Sequence, residues 1–546
     1  MEKVLFVSIT VFGILLRLLY SLSSASDENV TFWLIKRQEK SRWVNYDVPD
    51  SIIEGFYGYP VLIQFLVGKL PSGVQVILGR IFNILPDVLI GIALYIIAKI
   101  YYNSFGLLTL TNSLMILKPE LIVTFFYLSS PVLLPSTSRM KTIKGRSWGG
   151  LFVFFYLIFV FYFLESHKYI FLLPIIFLGL LIILTSLFAF QVLILFTLFL
   201  SCIEVSFYPV LTLALVFIIS FVFPKIKAKE PIIFFLNHKI WYWRNYSKGT
   251  TASPRRNLRN LVLLPYYLFK RPALFCRLIY NELPPAIFIL SMPELIIILF
   301  LLLKKGNLFI YFAAMPIFSF SWKVVLISVV IFMFVCFRRL SFMGQAERYS
   351  EYSIPFLSLL VPYFYYKEFG YTTALNLLAV LMLLHVLVIM SNFLYDNKAL
   401  LFQREPEKDE DVNEMLNWMI NNNVGGENIF TIPVKLGFQL SYLAQESNVS
   451  SNLKFYYKFI KKNGEWGFKY YEEDTGGLVE GLGGLEGSKE VLKIGPERLR
   501  KQYNAGHILI DKSYLGGLRE EWGDFIIKNK VAHENGQYLL VEMKDG

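Results

Sequence analysis

The chain reads as mainly α: a polytopic transmembrane bundle of about thirteen helices, followed by a soluble domain of mixed α and β structure. Three observations carry that expectation. Of its 546 residues, 55% are hydrophobic and 17% aromatic, well above the balance of a soluble domain. Apolar segments recur from Val4 to Leu394. Beyond Asp396 the text turns polar, where 24 acids face 19 lysines and arginines. That is a net charge near −5 and leaves about +17 for the rest of a chain whose total is +12. The expected domains are therefore 1–395 in the membrane and 396–546 outside it.

A hydrocarbon core about 30 Å thick needs ~20 apolar residues per helix, and Val4–Leu22, Leu187–Val205, Phe207–Phe223 and Thr373–Leu394 come close to that length. They are expected to be helices, because isolated strands leave backbone groups unpaired in lipid. Leu308–Phe320 and Ile354–Tyr366 are shorter. Arg17 inside the first run argues that it is retained as a helix, against cleavage after Ser23-Ser24-Ala25. A polar stretch, Ser26 to Tyr59, follows it. Arg80 and Asp87 lie seven apart, on one helical face with Asn83 nearby, and predict a polar seam between helices. Arg17, Glu120, Glu294 and Arg348 also fall in or at the edges of apolar segments, where an unpaired charge is expensive.

Loop charge sets the expected orientation, since loops rich in lysine and arginine stay in the cytoplasm. Ser138–Arg146 holds four basic residues and no acid. The loop 225–283 holds twelve, against only Glu230 and Glu282. Taking both as cytoplasmic, with an even number of passes between them, places the amino terminus inside and both the 26–59 loop and the tail outside. The second loop also reads as a contact for anionic lipid, which in a membrane protein outweighs nucleic acid as its partner.

In the tail, Val412–Asn421 has helical spacing with Asp411 as N-cap, and Ile429–Pro433, His507–Asp511 and Tyr538–Glu542 read as strands. The run Gly476–Gly487 lacks a Gly-Lys-Ser/Thr ending and carries two glutamates, so it is no phosphate loop. Asp409-Glu410-Asp411 reads as a solvated charge run. Cys202, Cys276 and Cys336 have no paired spacing and the five histidines are scattered, so neither a disulfide framework nor a metal site is expected.

Several residues together carry a resemblance. They are Arg17 in the first helix, Asp27-Glu28 just beyond it, Tyr59-Pro60 before a short amphipathic helix, and Gly79-Arg80-Ile81-Phe82-Asn83 with Asp87 in the second long helix. This layout resembles the multi-pass GT-C glycosyltransferases, the superfamily of the protein mannosyltransferases and aminoarabinose transferases. The resemblance implies transfer of a sugar from a polyprenyl-phosphate carrier to a glycan, lipid or protein acceptor at the outer membrane face. It also implies that Asp27 is the catalytic carboxylate with Glu28 as its neighbour. A carboxylate there can take a proton from the acceptor hydroxyl as the anomeric carbon is attacked. Gly344-Gln345-Ala346-Glu347-Arg348-Tyr349, with Pro355 opening an apolar helix, resembles the late outer segment where such enzymes set an arginine near the carrier phosphate. Arg348, with Arg80 and Tyr349, is the expected set of donor-phosphate ligands.

Two departures matter. The next loop has no acid-x-acid pair, with Glu120 the nearest acid, so a divalent metal is not supported and no cofactor is expected. The tail lacks the Trp-Trp-Asp signature of oligosaccharyltransferases, which speaks against asparagine-linked transfer. A transporter or lipid flippase remains the first alternative, and a non-catalytic scaffold of the same fold the second.

Overall fold

The computed structural model describes residues 2–22, 28–48, 51, 55–104, 118–134, 143, 145–246, 259–306, 308, 310–313, 315–402, 410–422, 424, 428–432, 435–446, 453–455, 460–462, 465–466, 496, 500, 504–517 and 520–543. Gly476–Gly487, Asp409 and Asp27 lie outside these. The chain divides into two compact units. One holds Met1–Ser24, Val76–Ile232 and Tyr242–Leu401, and the other holds Ala25–Gln75, Ile233–Trp241 and Phe402–Gly546.

The first unit is helical. Its opening helices are α1 (Glu2–Leu22), then, after the second unit's α2 (Glu28–Glu39) and α3 (Leu62–Gly68), α4 (Gln75–Ser104), α5 (Pro119–Leu128), α6 (Arg146–Ser166), α7 (Leu172–Thr185), α8 (Leu187–Glu204) and α9 (Tyr208–Val222). Next come α10 (Lys229–Tyr246), whose Ile233–Trp241 stretch belongs to the second unit, α11 (Arg259–Lys270), α12 (Pro272–Arg277), α13 (Pro284–Ser291) and α14 (Pro293–Lys305). α15 (Pro316–Cys336), α16 (Glu347–Ser350), α17 (Ile354–Phe369) and α18 (Tyr371–Phe402) complete it. Among the described residues, six helices are long and apolar enough to cross a membrane, or seven if the bent pair Leu274–Tyr280 and Pro284–Ser291 is one span. Pro119–Leu128, Tyr169–Thr185 and Tyr208–Val222 are shorter apolar helices. The protein is thus a multi-pass membrane protein, and the expected thirteen spans exceed what length and hydropathy mark out.

Polar side chains fix the direction of each pass. At one end, Glu2 accepts hydrogen bonds from Tyr95 (2.5 Å), Lys99 (2.9 Å) and Lys118, so α1 and α5 begin where α4 finishes. At the other end, Arg17 donates to the carbonyl of Leu128, the last residue of α5 (2.7 Å). Trp148, in the first turn of α6, donates to the Phe82 carbonyl near the start of α4 (3.0 Å). α6 therefore starts at the end where α1 and α5 stop. α9 starts where α6 finishes, with the Phe163 and Tyr208 rings 5.4 Å apart, and so returns toward the Arg146 end before Lys225.

Arg146, Lys225 and the end of α1 share one end of the unit. α5, only ten residues long, completes a third run before Arg146.

Asp87 pairs with Arg17, 70 residues away on α1, so the expected polar seam joins α1 to α4; the Arg80 side chain lies outside the described residues. Arg17 Nε lies 2.7 Å from Asp87 Oδ2 with both side chains fully buried, and the Tyr127 hydroxyl donates to the other Asp87 oxygen (3.2 Å). Glu294 likewise meets a distant partner, with His385 Nε2 3.0 Å from its Oε2.

The second unit is built on a five-stranded sheet of order β4-β3-β7-β9-β8. It also carries a smaller antiparallel sheet made of β1 (Asp47–Val48), β2 (Gly55–Tyr57), β5 (Ile460–Lys462) and β6 (Glu465–Trp466). In the larger sheet, β3 (Asn428–Ile432) runs parallel to β4 (Lys454–Phe455) and β7 (Ala505–Asp511). β8 (Val531–Glu534) and β9 (Tyr538–Glu542) close it antiparallel. Parallel neighbours need a crossover, and α20 (Lys435–Glu446), after α19 (Glu410–Asn421), links β3 to β4. The expected helix and three strands of the tail are present.

The core of this unit joins distant sequence. Trp33 of α2 is fully buried, donates its indole N–H to Ser441 of α20 (3.0 Å) and stacks edge-on to Phe438 at 5.1 Å. Gly58 is required by close approach, since a Cβ there would sit 2.1 Å from the Phe234 ring.

Candidate functional site

The start of α6, the start of α8 and the segment from Met343 to Ser353 converge at the Arg146 end of the first unit. Gly145 makes the approach of α6 possible: a Cβ on it would lie 1.9 Å from the Thr185 carbonyl oxygen. Gly344, at φ 110°, takes the left-handed backbone that the turn before α16 requires. Arg146 directly follows Gly145 and Arg348 lies four residues beyond Gly344, and the two arginines stand around a single ring. Their guanidinium carbons lie 5.8 and 5.9 Å from the centroid of Phe188.

The two arginines differ in their counter-ions. Arg146 forms a fork with Glu351, through Nε to Oε2 (3.2 Å) and Nη2 to Oε1, and the Glu351 carboxylate is almost fully buried. Arg348 Nε is inaccessible to water and has no hydrogen-bond partner among the described residues. Its guanidinium is lowered to about 10, first by burial and then by the neighbouring Arg146, with Glu347, Glu351 and Tyr352 opposing. Arg348 lies outside the candidate spans. The sign follows: as pH rises through about 10, the folded chain loses this positive charge while an ordinary arginine keeps its own. Anion affinity at Arg348 is therefore expected to fall over that interval, checked by titrating phosphate binding between pH 8 and 11.

Tyr349 is placed beside them but turned away. Its ring is fully buried, and its hydroxyl meets Gln191 Nε2 and donates to the Met343 carbonyl (2.9 Å). That bracing holds the 343–349 turn, which Ser328 Oγ supports through the Tyr349 carbonyl (3.2 Å). Arg80 lies in the second turn of α4, and its side chain is outside the description. Glu28 opens α2 in the other unit, with its side chain likewise undescribed. Asp27 lies outside the described residues.

Arg146 is the residue that sequence reasoning missed. Its loop read as an orientation signal, and nothing near it in sequence announces Glu351, 205 residues on. The arrangement can hold an anion: two part-buried guanidiniums around one ring, with the Arg348 Nε unsatisfied among the described residues. It does not fit a metal. Among the described residues no three acids, histidines or cysteines gather, and the acid at hand, Glu351, is committed to Arg146.

No protein-family model matches the chain. No curated protein matches it at a significant level. Solved structures do. The apo oligosaccharyltransferase of Archaeoglobus fulgidus superposes with a TM-score of 0.51 at 11% identity, covering 93% of this chain and 69% of that one. The same enzyme tethered to an acceptor peptide containing an NVT sequon gives 0.51 at 10% identity, over 93% and 69%. Its complex with zinc and sulfate gives 0.50 at 12%, over 93% and 68%. At such identities the likeness is one of fold: the chain shares the fold of this oligosaccharyltransferase.

Proposed function

We propose that the protein is an integral membrane glycosyltransferase that moves a sugar from a polyprenyl-phosphate carrier to a cell-surface acceptor. One observation carries the reading: in a chain of GT-C fold, Arg348 presents a part-buried guanidinium whose inaccessible Nε is unsatisfied among the described residues, the group that would stabilise a departing lipid phosphate. Asp27, just beyond the end of α1, supplies the base that removes the acceptor hydroxyl proton, and Glu28 stands beside it. Arg80 is kept as a further phosphate ligand. The Arg146 end of the membrane unit then faces outward, the amino terminus lies inside, and residues 396–546 are extracytoplasmic. In this orientation the basic residues of 138–146 and 225–283 face the substrate side against the usual charge bias.

Arg348→Gln tests the reading. Removing one charge-assisted contact is expected to weaken polyprenyl-phosphate binding by roughly 10- to 100-fold, measured on the full chain in nanodiscs. Undiminished binding would overturn the assignment. The transporter alternative has one feature in its favour, the 69° bend between Leu274–Tyr280 and Pro284–Ser291. It predicts ligand uptake into proteoliposomes without any transfer product.

A further inference from the structure

We infer that Arg146 is a second phosphate contact, so that the carrier's phosphate is held between the guanidiniums of Arg146 and Arg348, with Glu351 as the resident counter-ion whose place it shares. The inference rests on the proposed lipid-phosphate reading and names a residue that reading does not use.

The geometry supports it in three ways. Both guanidiniums lie within 6 Å of the Phe188 ring centroid, close enough for Arg146 to act electrostatically on Arg348, and like charges so placed favour an anion that answers both. Glu351 answers Arg146 through a two-point fork, whereas Arg348 Nε has no acceptor among the described residues. Glu351 thus satisfies one cation of the two, and Glu347, the stronger carboxylate influence on Arg348, makes no hydrogen bond to its Nε among the described residues. Finally, Arg146 is held to this place by fixed backbone: Gly145 is pressed under the Thr185 carbonyl, and Trp148 is anchored to Phe82 by its indole N–H and by ring contact at 4.5 Å. A guanidinium placed this rigidly meets a ligand without first being ordered.

The ligand class is a phosphate ester at the membrane boundary. A lipid phosphate and free inorganic phosphate share that chemistry, so both are offered to the full-length protein in nanodiscs, as polyprenyl monophosphate in the bilayer and as orthophosphate in solution. Arg146→Gln is expected to weaken polyprenyl monophosphate binding by about tenfold. Glu351→Gln is expected to tighten it by about threefold, since it removes a competing negative charge. The opposite signs are the discriminating result. Both substitutions break the same ion pair, so a purely structural role moves affinity and melting temperature in one direction for both. If the two variants shift affinity alike, or Arg146→Gln binds as the parent does while Arg348→Gln fails, the second contact is refuted and the first stands. If Arg348→Gln also binds normally, or only orthophosphate binds, the lipid-phosphate reading itself is overturned.

Discussion

Asp27→Asn is expected to lower sugar transfer by about 10²- to 10⁴-fold, the range set by losing a positioned general base, while expression and membrane insertion stay unchanged. The amide keeps the size and most of the polarity of the carboxylate, but it cannot accept the acceptor's proton. Glu28→Gln is the internal control and is expected to cost much less, because only one of the two carboxylates can be aligned on the attacking hydroxyl. The measurement is single-turnover transfer from a polyprenyl-phosphate sugar by purified protein. A full rate for Asp27→Asn would end the proposed chemistry and favour the transporter or scaffold alternatives, neither of which needs a base there.

Asp87→Asn carries the largest expected stability effect. It leaves the Arg17 guanidinium in the interior of the membrane unit without its counter-ion, and removing one partner of a buried pair costs about 3–5 kcal/mol. The remaining contacts of Arg17, to the carbonyls of Gly13 (3.1 Å) and Leu128 (2.7 Å), do not balance a full charge. The double variant Arg17→Leu with Asp87→Leu removes both charges and is expected to regain much of the loss. Thermal unfolding in detergent decides it. An Asp87→Asn protein that melts with the parent, or a double variant no better than the single, would show that the pair contributes little.

Much of this was legible in the sequence wherever the signal is local. Hydropathy marked the membrane helices, and short strand-like runs bounded by Gly and polar turns marked β3, β7 and β9. Residues in polar-apolar conflict, Arg17, Asp87, Glu294 and Arg348, were visible one by one, because an ionisable group in an apolar run stands out without knowledge of its partner. Their partners were not visible. Arg17 with Asp87, Glu294 with His385 and Arg146 with Glu351 are separated by 70, 91 and 205 residues, and periodicity carries no information over such distances. The heptad relation of Arg80 to Asp87 marked one face of α4, and the partner described there, Arg17, stands on another helix.

Orientation is hard to read for a related reason. The side on which a loop lies depends on the parity of all preceding crossings, so one ten-residue helix reverses every later assignment. Positive charge reads as an inside signal, and in the proposed site it would also serve anion binding, two uses indistinguishable in composition.

The interleaved core of the second unit has a consequence for biosynthesis. Trp33, Tyr46 and Val48 are buried in the same cluster as Phe430, Ile508 and Leu540, so the earliest-made part of this unit waits for the last. During translation the Trp33 helix emerges with its apolar face uncovered and stays so while nearly four hundred residues are added, an interval in which nascent chains are open to mispairing. A ribosome that stops before the last strands therefore releases a membrane anchor with a sticky, unfinished head.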